Sequence, residues 1–169
     1  MKRKINVWEY APTILEETGK GVLLTTKADG KVNTMTIGWG TLGIEWGKPI
    51  YTVFVRESRH TKALLDKNPE FTINVPYGAY DKSILSICGT RSGRDMDKIA
   101  HLGLTLEEPE TVSVPGIRQL PLTLECKVIY QQDQDSAAIG KDIQDRYYPE
   151  GDYHTAYYGL ITAAYIIED

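Results

Sequence analysis

Short runs of β-branched and aliphatic residues, cut again and again by turn residues, set the rhythm of this chain. Val22-Leu23-Leu24-Thr25-Thr26 runs into Ala28-Asp29-Gly30-Lys31, where Asp-Gly between two apolar runs is a strong hairpin signal. Residues 32–37, 50–55, 71–75, 122–130 and 157–167 read as further strands. Gly38, Gly40, Gly43 and Gly47 crowd the stretch between residues 32–37 and 50–55. Such density in a strand region points to bulges or to another molecule close to the backbone. Helices are expected only at connections. One covers residues 61–67, capped by Ser58 or Thr61 and stopped at Asn68-Pro69. A turn of helix is expected within residues 80–87. Another helix covers residues 96–102, begun near Asp95 and closed by Gly103. A weaker one lies within residues 135–148. The expected fold class is mainly β, a β-barrel or sandwich with helical insertions, rather than alternating βαβ units. No GxGxxG follows a strand and no GxxxxGK[ST] occurs, so a dinucleotide fold or P-loop gains no support.

The chain has 169 residues, enough for a single domain with a sizeable core. Residues 1–20 read as an N-terminal extension and residues 135–153 as a helical insertion. Asp and Glu total 23 against 19 Lys and Arg, a net charge of −4. That balance argues against a nucleic-acid or membrane-surface binder and leaves room for a local basic pocket. No run approaches the length of a membrane span. No apolar core of signal-peptide length follows Met1-Lys2-Arg3-Lys4, so the expected compartment is the cytosol. Cys88 and Cys126 are expected as reduced thiols. Neither belongs to a CxxC pair, and no Cys/His cluster has zinc spacing, so no metal site is expected.

Three segments have the composition for chemistry. Asn33-Thr34-Met35-Thr36-Ile37-Gly38-Trp39-Gly40 offers a backbone edge beside apolar walls, as a flat aromatic ligand needs. It also reads as a barrel strand with a bulge and a core Trp. Arg56-Glu57-Ser58-Arg59-His60-Thr61 puts arginines, hydroxyls and a histidine before a helix start, a design suited to a phosphomonoester. A capped surface helix with solvated arginines has the same composition. Cys88-Gly89-Thr90-Arg91-Ser92-Gly93-Arg94-Asp95-Met96-Asp97-Lys98 has glycines that allow positive φ, and Arg91, Ser92, Arg94 and Lys98 to face an anion. A flexible charged loop with Asp95 as a helix cap is the alternative. His154 stands at the entrance to the last strand, where it either touches a ligand or caps the turn. Cys88 as a nucleophile lacks an orienting third residue and reads instead as a structural thiol. Together the three segments ask for one ligand, an aromatic system bearing a phosphate.

These motifs, in this order and with Phe71-Thr72-Ile73-Asn74-Val75-Pro76 and Leu124-Glu125-Cys126-Lys127-Val128, resemble the flavin-reductase-like or flavoredoxin-like family. The resemblance covers roughly residues 21–167. It implies an FMN-binding split barrel, usually a homodimer with flavin near the subunit interface. It implies that Asn33, Met35, Thr36, Ile37 and Trp39 contact the isoalloxazine. Arg56, Ser58, His60 and Thr61 would surround ribityl and phosphate. The loop bearing Cys88, Ser92 and Gly93 would close over the flavin, with Lys98 on the phosphate. His154 would border the site of the electron donor. Two positions depart from the family pattern: Thr34, where many relatives have Pro, and Gly159-Leu160-Ile161, where the family often has Gly-Glu-Val. The implied function is an FMN-dependent flavin oxidoreductase, reduced by NAD(P)H or a redox partner and passing electrons to a flavin, metal or protein acceptor. The alternative is a flavin carrier or sensor without turnover of its own.

Overall fold

Val22 and Leu24 point to one side of their strand and Leu23 to the other, and all three are fully buried. A strand covered on both faces must lie between two layers. In a computed structural model, which describes residues 1–168, those layers are a barrel interior and a shell of helices. The strands are β1 (Lys2–Lys4), β2 (Val22–Ala28), β3 (Lys31–Ile37), β4 (Gly40–Glu45), β5 (Lys48–Arg56), β6 (Glu70–Val75), β7 (Leu106–Glu107), β8 (Gly116–Ile117), β9 (Leu122–Asp133) and β10 (His154–Ile167). The helices are α1 (Ala11–Lys20), α2 (His60–Lys67), α3 (Ser83–Thr90), α4 (Lys98–His101) and α5 (Lys141–Tyr147).

One antiparallel sheet runs in the order β3-β2-β6-β9-β10-β5-β4, with β1 added on β10, and β7 and β8 form a separate two-stranded sheet. The fold is therefore mainly β, a split barrel with helices at the connections. Its two end strands, β3 and β4, are sequence neighbours joined through Gly38 and Trp39 and are not paired with each other. The interior packs Leu24, Tyr51, Val53, Phe71, Ile73, Leu124 and Tyr157. Leu23, on the outer face, packs with Ile84 and Cys88 of α3 and with Leu104, Ile117 and Leu120.

The Asp-Gly hairpin forms as read, with φ of 51° at Asp29 and 74° at Gly30, the left-handed pair that a two-residue turn between twisted strands requires. The glycine-rich stretch folds as β4, and the Trp46-Gly47 turn, also left-handed at both positions, joins it to β5. Several boundaries differ from expectation. Neither Ser58 nor Thr61 caps α2: Arg59 takes the cap position without a side-chain bond. The hydroxyl of Ser58 donates to Asp152, and that of Thr61 accepts from Asn33. The fourth helix is shorter than residues 96–102 and is capped by Asp97, whose carboxylate accepts from Ala100 N–H, not by Asp95. Within residues 135–153, a 3-10 turn at Ser136–Ala138 precedes α5. The first 20 residues carry β1 and α1, neither of which was expected. Pro12 in the first turn of α1 and Gly21 just past its end were legible start and stop signals.

Candidate functional site

A cleft with two lobes lies where β3 meets α2, the loop after α3, and the ends of β5 and β10. The lobes share Met35, Thr36 and Arg59 and so lie side by side. Their cavity volumes are about 180 and 140 Å³.

The first lobe is aromatic and partly open. The end of β3 supplies Met35, Thr36 and Ile37, and the chain continues over it as Gly38-Trp39. Phe54, Arg56 and His154 face them from β5 and β10. Trp39 is 43% exposed, so it is a wall of the cleft and not a core residue. Its ring lies 5.0 Å from that of His154 and 5.3 Å, edge-on, from that of Tyr147. His154 is the first residue of β10 and pairs in register with Arg56. It is buried, and its Nδ1 lies 2.7 Å from the hydroxyl of Tyr148. Burial, followed by the positive charge of Arg56, pushes its pKa down to about 4, so the ring is neutral at pH 7.

Arg56 departs from its expected neighbourhood. Its guanidinium lines the aromatic lobe and donates to the carbonyls of Asp152 (3.0 Å) and Tyr147 (3.1 Å). Ser58 lines the second lobe, but its N–H and hydroxyl are both donated to the Asp152 carboxylate. These bonds, with Gln134 accepting from the N–H of His154, fasten residues 134–153 beside the cleft.

The second lobe is cationic. Asn33 of β3, His60 and Thr61 at the start of α2, and Cys88 and Gly89 near the end of α3 form its walls. Arg59, Arg91, Arg94 and Lys98 supply charge, and no carboxylate lines it. Lys98 is only 3% exposed. Its ammonium donates to the carbonyl of Arg91 at 3.0 Å, and burial, with Arg59 adding repulsion, pulls its pKa down. Burial and then Arg94 and Lys98 likewise lower that of His60. A buried cation without a counter-charge is costly. An anion entering from solvent would relieve it, aided by the free N–H groups of a helix start.

Gly93 is needed for closeness rather than for positive φ, which it does not adopt. A Cβ there would lie 2.2 Å from Oδ1 of Asn33 and 2.9 Å from the ring of His60. Cys88 is a buried thiol whose pKa burial raises, a poor nucleophile. The structure thus gathers Asn33, Met35, Thr36, Ile37, Trp39, Arg56, Ser58, His60, Thr61, Cys88, Ser92, Gly93, Lys98 and His154 around one cleft. Sequence reasoning missed Phe54, Tyr147, Tyr148 and Asp152. The run of tyrosines before His154 was the available signal for two of them.

The family described as flavin reductase like domain matches residues 17–169. An uncharacterised protein of Archaeoglobus fulgidus is 33% identical over 99 residues, 59% of this chain and 55% of that protein. The chain thus matches less than two thirds of that relative's length. The crystal structure of flavoredoxin from Methanosarcina acetivorans superposes with a TM-score of 0.68 at 27% identity, covering 88% of this chain and 68% of that one. Flavoredoxin of Desulfovibrio vulgaris (Miyazaki F) gives 0.68 at 26% identity, covering 88% and 69%. With a match that spans most of its length and a shared split barrel, this chain belongs to the flavin reductase like domain family.

Proposed function

We propose that the cleft binds FMN and that the protein is a flavin oxidoreductase, its flavin reduced by NAD(P)H or a redox partner and its electrons passed to a flavin, metal or protein acceptor. The observation that carries this reading is the cationic lobe, free of carboxylates, side by side with an aromatic one. Lys98, Arg59, Arg91 and Arg94 would hold the phosphate, and the backbone of residues 35–39 with Trp39 would hold the ring system. When bound, FMN supplies the two-electron redox chemistry. The residues bind, orient and shield it. Lys98 provides charge that water does not screen. Trp39 and Met35 exclude solvent from one wall, and His154 borders the side from which a donor would approach. The partial openness of the aromatic lobe supports access by NAD(P)H or a small acceptor. The same reading places the protein in the cytosol as a homodimer. Trp46 and Tyr130, exposed with rings 6.0 Å apart, belong to an apolar patch that a second copy would cover.

The test is the absorption spectrum of the purified protein, before and after NADH or NADPH. A flavin spectrum that bleaches rapidly is expected. FMN at a hundredfold excess over its Kd should stabilise the protein by about 2.7 kcal/mol. Colourless protein that FMN does not stabilise would overturn the reading. Bleaching only by dithionite or a partner protein would leave a flavin carrier or sensor in place of a reductase.

A further inference from the structure

Tyr148, immediately after α5, is buried, with its ring stacked on that of Tyr153 at 5.0 Å and set edge-on to the imidazole of His154 at 5.6 Å. Its hydroxyl and Nδ1 of His154 are 2.7 Å apart. Such a bond can run either way, and the two directions leave different atoms unsatisfied. If Nδ1 carried the proton, the phenol would accept it and its own O–H would need another acceptor. Among the described residues the hydroxyl has no partner but Nδ1. If the phenol donates, its hydrogen is used and the ring proton sits on Nε2. The Arg56 guanidinium, 5.1 Å from the centroid of the Tyr148 ring, favours the phenol as donor.

Nε2 makes no hydrogen bond to the described residues, yet it is not among the side-chain atoms sealed from solvent without a partner. His154 lines the aromatic lobe, and with Nδ1 taken by Tyr148 its other nitrogen is the one left for a ligand there.

We propose that Tyr148 is a positioning residue: its donation to Nδ1 locks His154 as the neutral Nε2–H tautomer, which offers a hydrogen-bond donor to an acceptor atom on the ring system of a flat heteroaromatic ligand. Burial, Arg56 and Arg59 all oppose the imidazolium, and Asp152 alone favours it. The donor is therefore constant through the neutral pH range. The identity of the ligand rests on the reading of the cleft as an FMN site, whereas the tautomer does not.

Long-range 1H–15N correlation spectra of the full chain at pH 7 test this. The resonances of His154 are identified by their loss in His154→Gln. An unprotonated Nδ1 and a protonated Nε2 are expected. In Tyr148→Phe, which keeps the stacked ring, the two nitrogen shifts should move toward each other as both tautomers become populated. A proton on Nδ1 in the unaltered chain overturns the proposal, and so does a tautomer unchanged in Tyr148→Phe. If that variant does not fold, the spectrum of the unaltered chain decides alone. Added FMN should then move the Nε2 proton resonance. FMN that binds, as seen by quenching of its fluorescence, but leaves that resonance unmoved removes the role toward the ligand. FMN that does not bind overturns the flavin reading and, with it, the named ligand class, while the nitrogen shifts still decide the role of Tyr148.

Discussion

Lys98 shows what a single residue contributes to this cleft. Its ammonium is buried beside Arg59 and held by one carbonyl, an arrangement that lowers the stability of the empty protein. Lys98→Gln should therefore leave the melting temperature of flavin-free protein unchanged or raise it, as measured by calorimetry. The same change should weaken FMN about tenfold or more, since a hydrogen bond to a charged group is worth about 1.5–3 kcal/mol. Riboflavin, which lacks the phosphate, should lose little. Arg56 predicts a different pattern. Two of its N–H groups donate to the carbonyls of Asp152 and Tyr147, so it acts by holding residues 147–152 against the aromatic lobe. Arg56→Ala should weaken FMN and riboflavin by similar factors in fluorescence titrations. A loss confined to FMN would return Arg56 to the phosphate. Nothing local in the sequence separates these two cations. Each stands between an aliphatic and an acidic residue, Val55 and Glu57 for Arg56 and Ile99 and Asp97 for Lys98, and what sets Arg56 apart is its partners 91 and 96 residues away.

At the scale of elements, legibility followed the range of the forces involved. The Asp29-Gly30 hairpin was readable because its signal is the intrinsic backbone preference of two adjacent residues. The capping of α2 was not, because Ser58 had a local bond to make and a distant one 94 residues off, and the distant carboxylate won. β7 and β8 have two residues each and pair with each other, too short for any periodicity to reveal them. Gly159 lies between these cases. It was noticed only as the shared first residue of a segment whose next two, Leu160 and Ile161, depart from a family pattern, and its constraint comes from tertiary packing. It sits at a register shift between β10 and β9, where a Cβ would come 2.4 Å from Cζ of Phe71 and 2.9 Å from Cβ of Cys126. Phe71 is fully buried and cannot swing away. Gly159→Ala should accordingly destabilise the protein by about 1–3 kcal/mol, the usual cost of overpacking a tight core. Urea denaturation at equilibrium would measure this, and a midpoint equal to that of the unaltered chain would contradict it.

Across the whole molecule, one carboxylate ties the barrel to the segment that covers it. Glu125 of β9 is fully buried and accepts from the N–H groups of Glu110 and Thr111 and from the hydroxyls of Thr111 and Tyr165. Burial pushes its pKa up, but these four donors outweigh burial and hold it below the ordinary value. A carboxyl whose folded pKa is depressed stabilises the fold above its unfolded pKa, near 4.3. That contribution is then lost as the pH falls through the lower folded value. Tyr165 carries the reciprocal effect: burial, with Glu125 beside it, raises its pKa, so it remains a donor throughout this range. Glu125→Gln removes the charge and turns an amide N–H toward donors that need an acceptor. It should cost about 1–3 kcal/mol at pH 7. The difference between the two proteins should shrink as the pH falls from about 4.3 through the lower folded value, where the carboxylate of the unaltered chain itself becomes protonated. Urea titrations between pH 3 and 7 provide the comparison. A gap that stays constant across that range would mean that packing of the side chain, and not its charge, joins the two parts of the molecule.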